Sequence, residues 1–142
     1  MKYFESVSDI VRIGEAVASR TLPKSDWTHA AHFAAAFWLL SEPGRDAFRE
    51  MPALIRAYNE ATGVANTESS GYHETITLAS LRAARAWLDR RSEAPLYACL
   101  NDLLTSQFGR SDWLLEYWSR PLLFSAQARR SWVEPDLKRL PF

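Results

Sequence analysis

Apolar residues recur three and four positions apart along most of the 142-residue chain, and this spacing limits the fold more than any other feature. The spacing places apolar side chains on one face of an α-helix. Val7, Ile10, Val11, Gly14 and Val17 form the first such stripe, which extends to Ala18. No window shows the alternation of apolar and polar residues that is typical of a half-buried strand. The sequence therefore predicts an all-α fold without a sheet.

Turn and capping residues divide the chain into a predicted bundle of about five to seven helices. Pro23 is expected to end the first helix, and Ser25 or Asp26 to cap the second. The later helices are predicted at about 27–40, 45–61, 72–90, 96–108, 112–118 and 125–132. Pro52 falls inside the third, which either starts afresh there or kinks, and Pro121 is expected to end the sixth.

The length of the chain fits one domain, so we assign residues 1–142 to a single helical domain. The helix predicted at 27–40 is apolar nearly all the way round and is expected to lie at the centre. Residues 62–71 form a polar stretch typical of a surface loop, and the tail from Pro135 to Phe142 is expected to be extended.

The 17 basic and 17 acidic residues cancel, and no basic stripe of the kind that binds nucleic acid stands out. The pair Arg129-Arg130 lies near a predicted helix end, where positive charge complements the helix dipole. The single cysteine, Cys99, can form no intramolecular disulfide, which fits a reducing compartment. The apolar run Phe33–Leu40 is too short to cross a bilayer. We therefore expect a cytoplasmic protein that binds neither nucleic acid nor membrane.

Three histidines lie near two predicted helix starts. His29 and His32 are three residues apart, a spacing that supplies metal ligands from one helix face in helical bundles. A helix N-terminus disfavours a positive ring and so favours neutral imidazole at His29 and His73, the form that binds a metal or acts as a base. If the two helix starts meet, His29, His32 and His73 would hold one divalent transition metal, Zn²⁺, Ni²⁺ or Fe²⁺, with a position open for water.

Four further residues complete the predicted site. Glu74 follows His73 and is the candidate catalytic base or orienting group. Tyr72, Thr28 and Tyr58 are the candidate ligand-binding residues, and the 62–71 loop would cover the site. The leading hypothesis is a metal-dependent hydrolase or transferase that acts on a small molecule.

Three other interpretations remain open at this stage. A metal-free pocket of histidines and aromatic residues could bind a small ligand without catalysis. The histidines could instead be structural, with hydrogen bonds to carbonyl groups or tyrosines. The aromatic segment Trp113–Trp132 could form the face of a homodimer. Cys99, on an apolar stripe, is interpreted as an inert core thiol.

Several strings of this sequence are similar to a family of uncharacterised bacterial proteins with a W/F-x-H-x-x-H segment followed by G-Y-H-E-T. The strings are residues 27–32, 58–63, 71–77 and 119–137. The resemblance implies that His29, His32, His73 and Glu74 occupy motif positions, and it implies no activity. A second likeness, at the level of fold only, is to helical bundles of the DNA-damage-inducible, three-histidine type, which hold a divalent metal but carry their paired histidines late in the chain.

Overall fold

Seven α-helices and three short 3₁₀ turns lie in residues 3–91 and 93–142, which are the residues described by the structure, a computed structural model. The α-helices are α1 (Val7–Ala18), α2 (His29–Ser41), α3 (Ala47–Ala61), α4 (Glu74–Asp89), α5 (Leu96–Thr105), α6 (Arg120–Leu123) and α7 (Ala126–Arg130). The 3₁₀ turns span Lys24–Asp26, Gln107–Gly109 and Trp113–Glu116. No strand occurs in these residues, so the predicted all-α, single-domain bundle is confirmed.

Helix α2 lies at the centre of the bundle, as its uniformly apolar sequence predicts. Every residue from Phe33 to Leu39 is buried, and the helix contacts α1, α3, α4 and α5. Gly14 of α1 lies against the indole ring of Trp38, and a Cβ atom at position 14 would overlap that ring. The absence of a side chain at Gly14 therefore sets how closely α1 approaches α2.

The cap predicted for α2 is wrong. Ser25 and Asp26 belong to a 3₁₀ turn, and Thr28 caps the helix because its Oγ1 accepts a hydrogen bond from the Ala31 N–H at 3.2 Å. Helix α2 consequently begins at His29, two residues later than predicted. His29 is its first residue and His32 completes its first turn.

The end of α1 also differs from the prediction. The helix ends at Ala18, before Pro23, and Arg20 follows in the left-handed region with φ +62°. The Thr21 N–H then donates to the Ala16 carbonyl at 2.8 Å, the hydrogen bond of a Schellman cap. A local backbone cap thus ends the helix, and Pro23 precedes the 3₁₀ turn.

Helix α3 is continuous from Ala47 to Ala61 and contains Pro52, so it does not start afresh at the proline. Asp46 caps it by accepting from the Arg49 N–H at 3.3 Å, and the Glu50 carboxylate accepts from the Asp46 N–H at 2.8 Å. This reciprocal pair fixes the start of α3. The polar stretch 62–71 is irregular, as predicted.

The last third of the chain is less helical than its sequence predicts. The expected sixth helix, at 112–118, is only the turn Trp113–Glu116. The sequence predicts that Pro121 ends that helix, but it lies in the first turn of the next one, α6. Ser125 caps α7 through the Ala128 N–H, as predicted. Trp113 and Trp118 are buried within the chain, so these rings belong to its core and offer little to a dimer face.

The tail 135–142 contains no helix or strand and runs back over the bundle. The Leu137 N–H donates to the Tyr117 carbonyl at 2.9 Å. The Phe142 ring lies 6.0 Å from that of Phe108 and 6.5 Å from that of Trp113, centroid to centroid. No helix within the described ranges is long and apolar enough to span a membrane.

Candidate functional site

A cavity of about 470 Å³ lies between α2, α4 and the segment 111–124. Its apolar lining residues are Phe33, Ile76, Leu114, Leu115, Leu123 and Phe124. Its polar lining residues are His29, His32, Ser80, Ser111, Asp112 and Arg120. We call this space the histidine cavity. A concave apolar space with a few polar groups is the usual form of a small-molecule site.

His32 lines this cavity and has one ring nitrogen without a hydrogen-bond partner in the described ranges. Its Nδ1–H donates to the Thr28 carbonyl at 2.8 Å, and its ring stacks on Trp27 with centroids 3.7 Å apart. Because a carbonyl oxygen only accepts, the ring proton is on Nδ1 and Nε2 carries a lone pair. No side chain or backbone group in the described ranges hydrogen-bonds to Nε2.

Burial lowers the pKa of His32 to about 4. The hydrogen bond to the Thr28 carbonyl raises the pKa and so opposes burial, and the neighbouring His29 lowers it slightly further. The ring is therefore neutral near pH 7. A neutral imidazole whose Nδ1 is already engaged can act only as a hydrogen-bond acceptor, through Nε2.

His29 has the opposite tautomer. Its Nε2–H donates to the Phe108 carbonyl at 2.8 Å, which joins the start of α2 to the turn after α5. The ring meets Phe33 edge-on with centroids 5.2 Å apart. The Nε2–H of His29 is thus already engaged, as the Nδ1–H of His32 is, and neither of these two N–H groups is available to a ligand.

His73 has a different position and a structural role. It caps α4: its Nδ1 accepts from the Ile76 N–H at 3.2 Å, while its Nε2–H donates to the Leu123 carbonyl at 2.6 Å. Burial lowers its pKa and Arg129 lowers it further, although the Leu123 hydrogen bond opposes both. The neutral ring predicted at this helix start is therefore present. Because Leu123 lines the histidine cavity, His73 positions one cavity wall without reaching the cavity itself.

The three imidazoles do not meet at one point. His29 and His32 share a cavity, whereas both nitrogens of His73 are occupied by backbone groups. Within residues 3–91 and 93–142, no three His, Cys, Asp or Glu side chains are grouped as metal ligands would be. The arrangement thus does not fit a three-histidine centre, and the metal stays a prediction to be tested directly.

Glu74 and Tyr72, the predicted catalytic and ligand-binding residues beside His73, form a pair of their own. The Tyr72 hydroxyl donates to Glu74 Oε1 at 2.5 Å. Burial and this carboxylate raise the pKa of Tyr72 far above its ordinary value. Neither side chain lines the histidine cavity.

Tyr58 and Thr28 also lie outside the lining of the histidine cavity. Tyr58 is fully buried and its hydroxyl donates to the Leu22 carbonyl at 2.8 Å, which anchors the chain after α1. Thr28 caps α2 and holds His32 through its carbonyl. The loop 62–71 contributes no residue to this cavity, so it does not cover it; part of the loop lines a second cavity beside Tyr72.

Sequence reasoning missed the polar residues of the segment 111–124, including Asp112 and Arg120. A partial signal existed on α4, because Ile76 and Ser80 share one helix face with His73 and both line the cavity. No local pattern places 111–124 against α2, since that approach depends on long-range contacts such as the hydrogen bond from His29 to Phe108.

Comparison of the chain with known protein families, with curated proteins and with solved structures finds no match in any of the three. The bacterial family resemblance stays a prediction.

Proposed function

We propose that the chain binds a small, largely apolar molecule in the histidine cavity, and that a hydroxyl or N–H group of this molecule donates a hydrogen bond to His32 Nε2. The observation that carries the proposal is an acceptor nitrogen, Nε2, that has no partner among the described residues and belongs to His32, which lines a mostly apolar cavity of about 470 Å³. Ligand cavities commonly have volumes of about 300–1,000 Å³ and a few fixed polar groups that orient the ligand.

The tautomers of the two histidines argue for a donor on the ligand. The protons of both rings are held by carbonyl groups, of Phe108 and Thr28. A ligand without a donor would displace water from His32 Nε2 and leave this acceptor without a hydrogen bond. The unpaired acceptor would reduce the binding free energy by about 1–3 kcal/mol. We therefore expect donor-bearing ligands to bind at least about fivefold more tightly than matched ligands without a donor, which is the lower end of that cost.

The proposed binding needs no metal, and a chain whose single cysteine, Cys99, is free and buried fits a reducing compartment such as the cytoplasm. A metal-dependent hydrolase or transferase remains the alternative from the sequence. It requires the His73 ring to release the Leu123 carbonyl and turn toward α2. A homodimer is likewise unnecessary for the cavity, because one chain supplies all of its lining.

Calorimetric titration of untagged protein with 2-naphthol and with 2-methoxynaphthalene tests the proposal. The two probes share a ring system, and only the first has a donor. We expect saturable binding of 2-naphthol and at least about fivefold weaker binding of the ether. In His32→Phe, which keeps a ring against Trp27 but removes Nε2, the two probes should bind alike. Equal affinity of both probes for the unaltered chain would contradict the donor argument.

Two exposed apolar residues supply a matched pair of variants. Phe124 is 53% exposed and lines the cavity, whereas Leu137 is 59% exposed and lies outside its lining. Phe124→Ala should weaken 2-naphthol binding about fivefold to tenfold through lost apolar contact, and Leu137→Ala should leave it unchanged. A similar loss in both variants would show that the probe binds elsewhere.

Elemental analysis of the same untagged protein distinguishes the metal-dependent alternative from metal-free ligand binding. About one Zn, Ni or Fe per chain, lost in both His32→Ala and His73→Ala, would support that alternative against the metal-free proposal. Metal-free protein whose melting temperature does not change when Zn²⁺, Ni²⁺ or Fe²⁺ is added would count against the metal-dependent alternative, because a ligand that binds the folded state raises its stability.

A further inference from the structure

A second cavity, of about 400 Å³, lies between the C-terminal half of α3, the loop 62–73 and α7. It is lined by Arg56, Arg129 and Arg130, by Glu68 and Tyr72, and by loop residues 66–67. We call it the arginine cavity. Three guanidinium groups face one lining carboxylate there, although the whole chain carries no net charge. This local excess of positive charge favours an anionic occupant.

The loop beside this cavity is held in one shape by Asn66. Its Oδ1 accepts from Asn59 Nδ2 and from the Tyr72 N–H, each at 3.0 Å, and its Nδ2 donates to the Arg56 carbonyl at 3.1 Å. Gly71 follows in the left-handed region with φ +77°, where a Cβ would collide with the Ala65 carbonyl and Asn66. The cavity is thus preformed, which lowers the entropy lost on binding.

Arg129 has an unmet donor. Its Nη1 donates to the carbonyls of Gly71 at 2.9 Å and Tyr72 at 3.4 Å, which fixes the guanidinium against the loop. Its Nε is buried and has no acceptor among the described residues. Buried N–H groups are nearly always paired, so this N–H is a donor that the described residues leave unmatched beside the cavity.

The two other arginines, Arg56 and Arg130, differ in whether a carboxylate already binds them. The Arg56 guanidinium lies 4.2 Å from the centre of the Tyr72 ring and forms no ion pair with a described carboxylate. Arg130 is bound to Glu68 at 2.6 Å. Arg56 is therefore free to bind an anion, while Glu68 engages Arg130 and reduces the positive charge of the cavity.

We propose that the arginine cavity binds the phosphate group of a small molecule, with Arg56 and Arg129 as the principal donors. Planar guanidinium groups match phosphate oxygens with paired hydrogen bonds. Arg56 and Arg129 form no ion pair with a described carboxylate, and two such positive charges match a phosphate dianion better than a singly charged carboxylate. The site is separate from the histidine cavity, so it neither requires nor replaces the function proposed there.

The side-chain N–H signals of arginine in ¹⁵N NMR spectra provide the test, with inorganic phosphate as the probe at constant ionic strength. We expect the Arg129 Nε–H signal to shift saturably with phosphate. Arg56→Gln should weaken binding about tenfold, and Glu68→Gln should tighten it about threefold to tenfold because an opposing charge is removed. Acetate should bind at least tenfold more weakly than phosphate.

Arg49→Gln is the matched control, because Arg49 is exposed on the same helix, about two turns before Arg56, and lies outside the cavity. It should leave phosphate binding unchanged. Circular dichroism confirms that each variant is folded. Shifts that do not saturate, or equal losses in Arg49→Gln and Arg56→Gln, would overturn the site. Equal binding of acetate would overturn its assignment to phosphate.

Discussion

Acidification below pH 6.5 should destabilise the fold through His32. The pKa of this ring falls from 6.5 in the unfolded chain to about 4 in the folded protein, chiefly because of burial. The unfolded chain therefore binds the proton more readily than the folded protein in this interval. The folded protein is therefore most stable, as far as His32 is concerned, above pH 6.5, where the ring is neutral in both states. This part of the unfolding free energy is lost as the pH falls from 6.5 toward 4.

The size of this loss of stability follows from the difference between the pKa of His32 in the unfolded chain and in the folded protein. A change of one in a pKa is worth about 1.36 kcal/mol, so the full effect corresponds to about 3 kcal/mol of unfolding free energy. The His32 ring keeps some contact with solvent at the cavity, which reduces the cost of charging it. We therefore expect a loss of about 2 kcal/mol from this residue between pH 6.5 and pH 4.

Urea unfolding at half-unit steps of pH, followed by tryptophan fluorescence and circular dichroism, measures the effect. The variant His32→Phe supplies the reference, because it retains a ring against Trp27 and has no proton to bind. Contributions of His73 and of the carboxylates are common to both proteins, so the difference between the two pH profiles isolates His32. Parallel profiles would refute the reasoning, since they would mean that the ring charges as easily in the folded as in the unfolded state.

Three further substitutions test the packing around the site. Gly14→Ala should lower the free energy of unfolding by about 2 kcal/mol, although alanine has the better helix propensity, because the new methyl group meets the Trp38 ring. Urea unfolding measures this change, and a higher free energy of unfolding in the variant would contradict the close approach of α1 to α2. Arg20→Gly should raise the melting temperature, with a gain of about 0.5–1 kcal/mol, because glycine adopts the left-handed conformation without strain. His73→Ala should cost about 2–3 kcal/mol by removing the cap and leaving the Leu123 carbonyl unpaired, and His73→Asn should recover about 1 kcal/mol by restoring the cap alone.

Helices α1, α3 and α4 could be predicted from periodicity, because each buries a face that repeats every three to four residues, and α2 could be predicted as the central helix because its sequence is uniformly apolar. Their ends could not be fixed as well. Ser25, Asp26 and Thr28 can all cap a helix, and only the fold decides that Thr28 does so. In the last third, short turns replace the expected sixth helix, because Trp113 and Trp118 are held by tertiary packing and not by a regular repeat.

The site shows the same division between local and long-range information. Spacing places His29 and His32 on one helix face, and both do line one cavity. Nothing local reveals that His73 bonds to Leu123, a partner 50 residues away. The pair Arg129-Arg130 does occupy the last turn of its helix, but Arg56 joins it only through the fold of the loop 62–73.

Methyl NMR spectra during titration with 2-naphthol test the histidine cavity most directly. The account predicts saturable shifts of the Ile76, Leu115 and Leu123 methyl signals, together with nuclear Overhauser contacts between the naphthyl protons and the His32 ring. The methyl signals of Val17, buried in α1 and outside the cavity, should stay in place. Unchanged signals at positions 76, 115 and 123, or shifts that are as large at Val17, would contradict the claim that this cavity is the binding site.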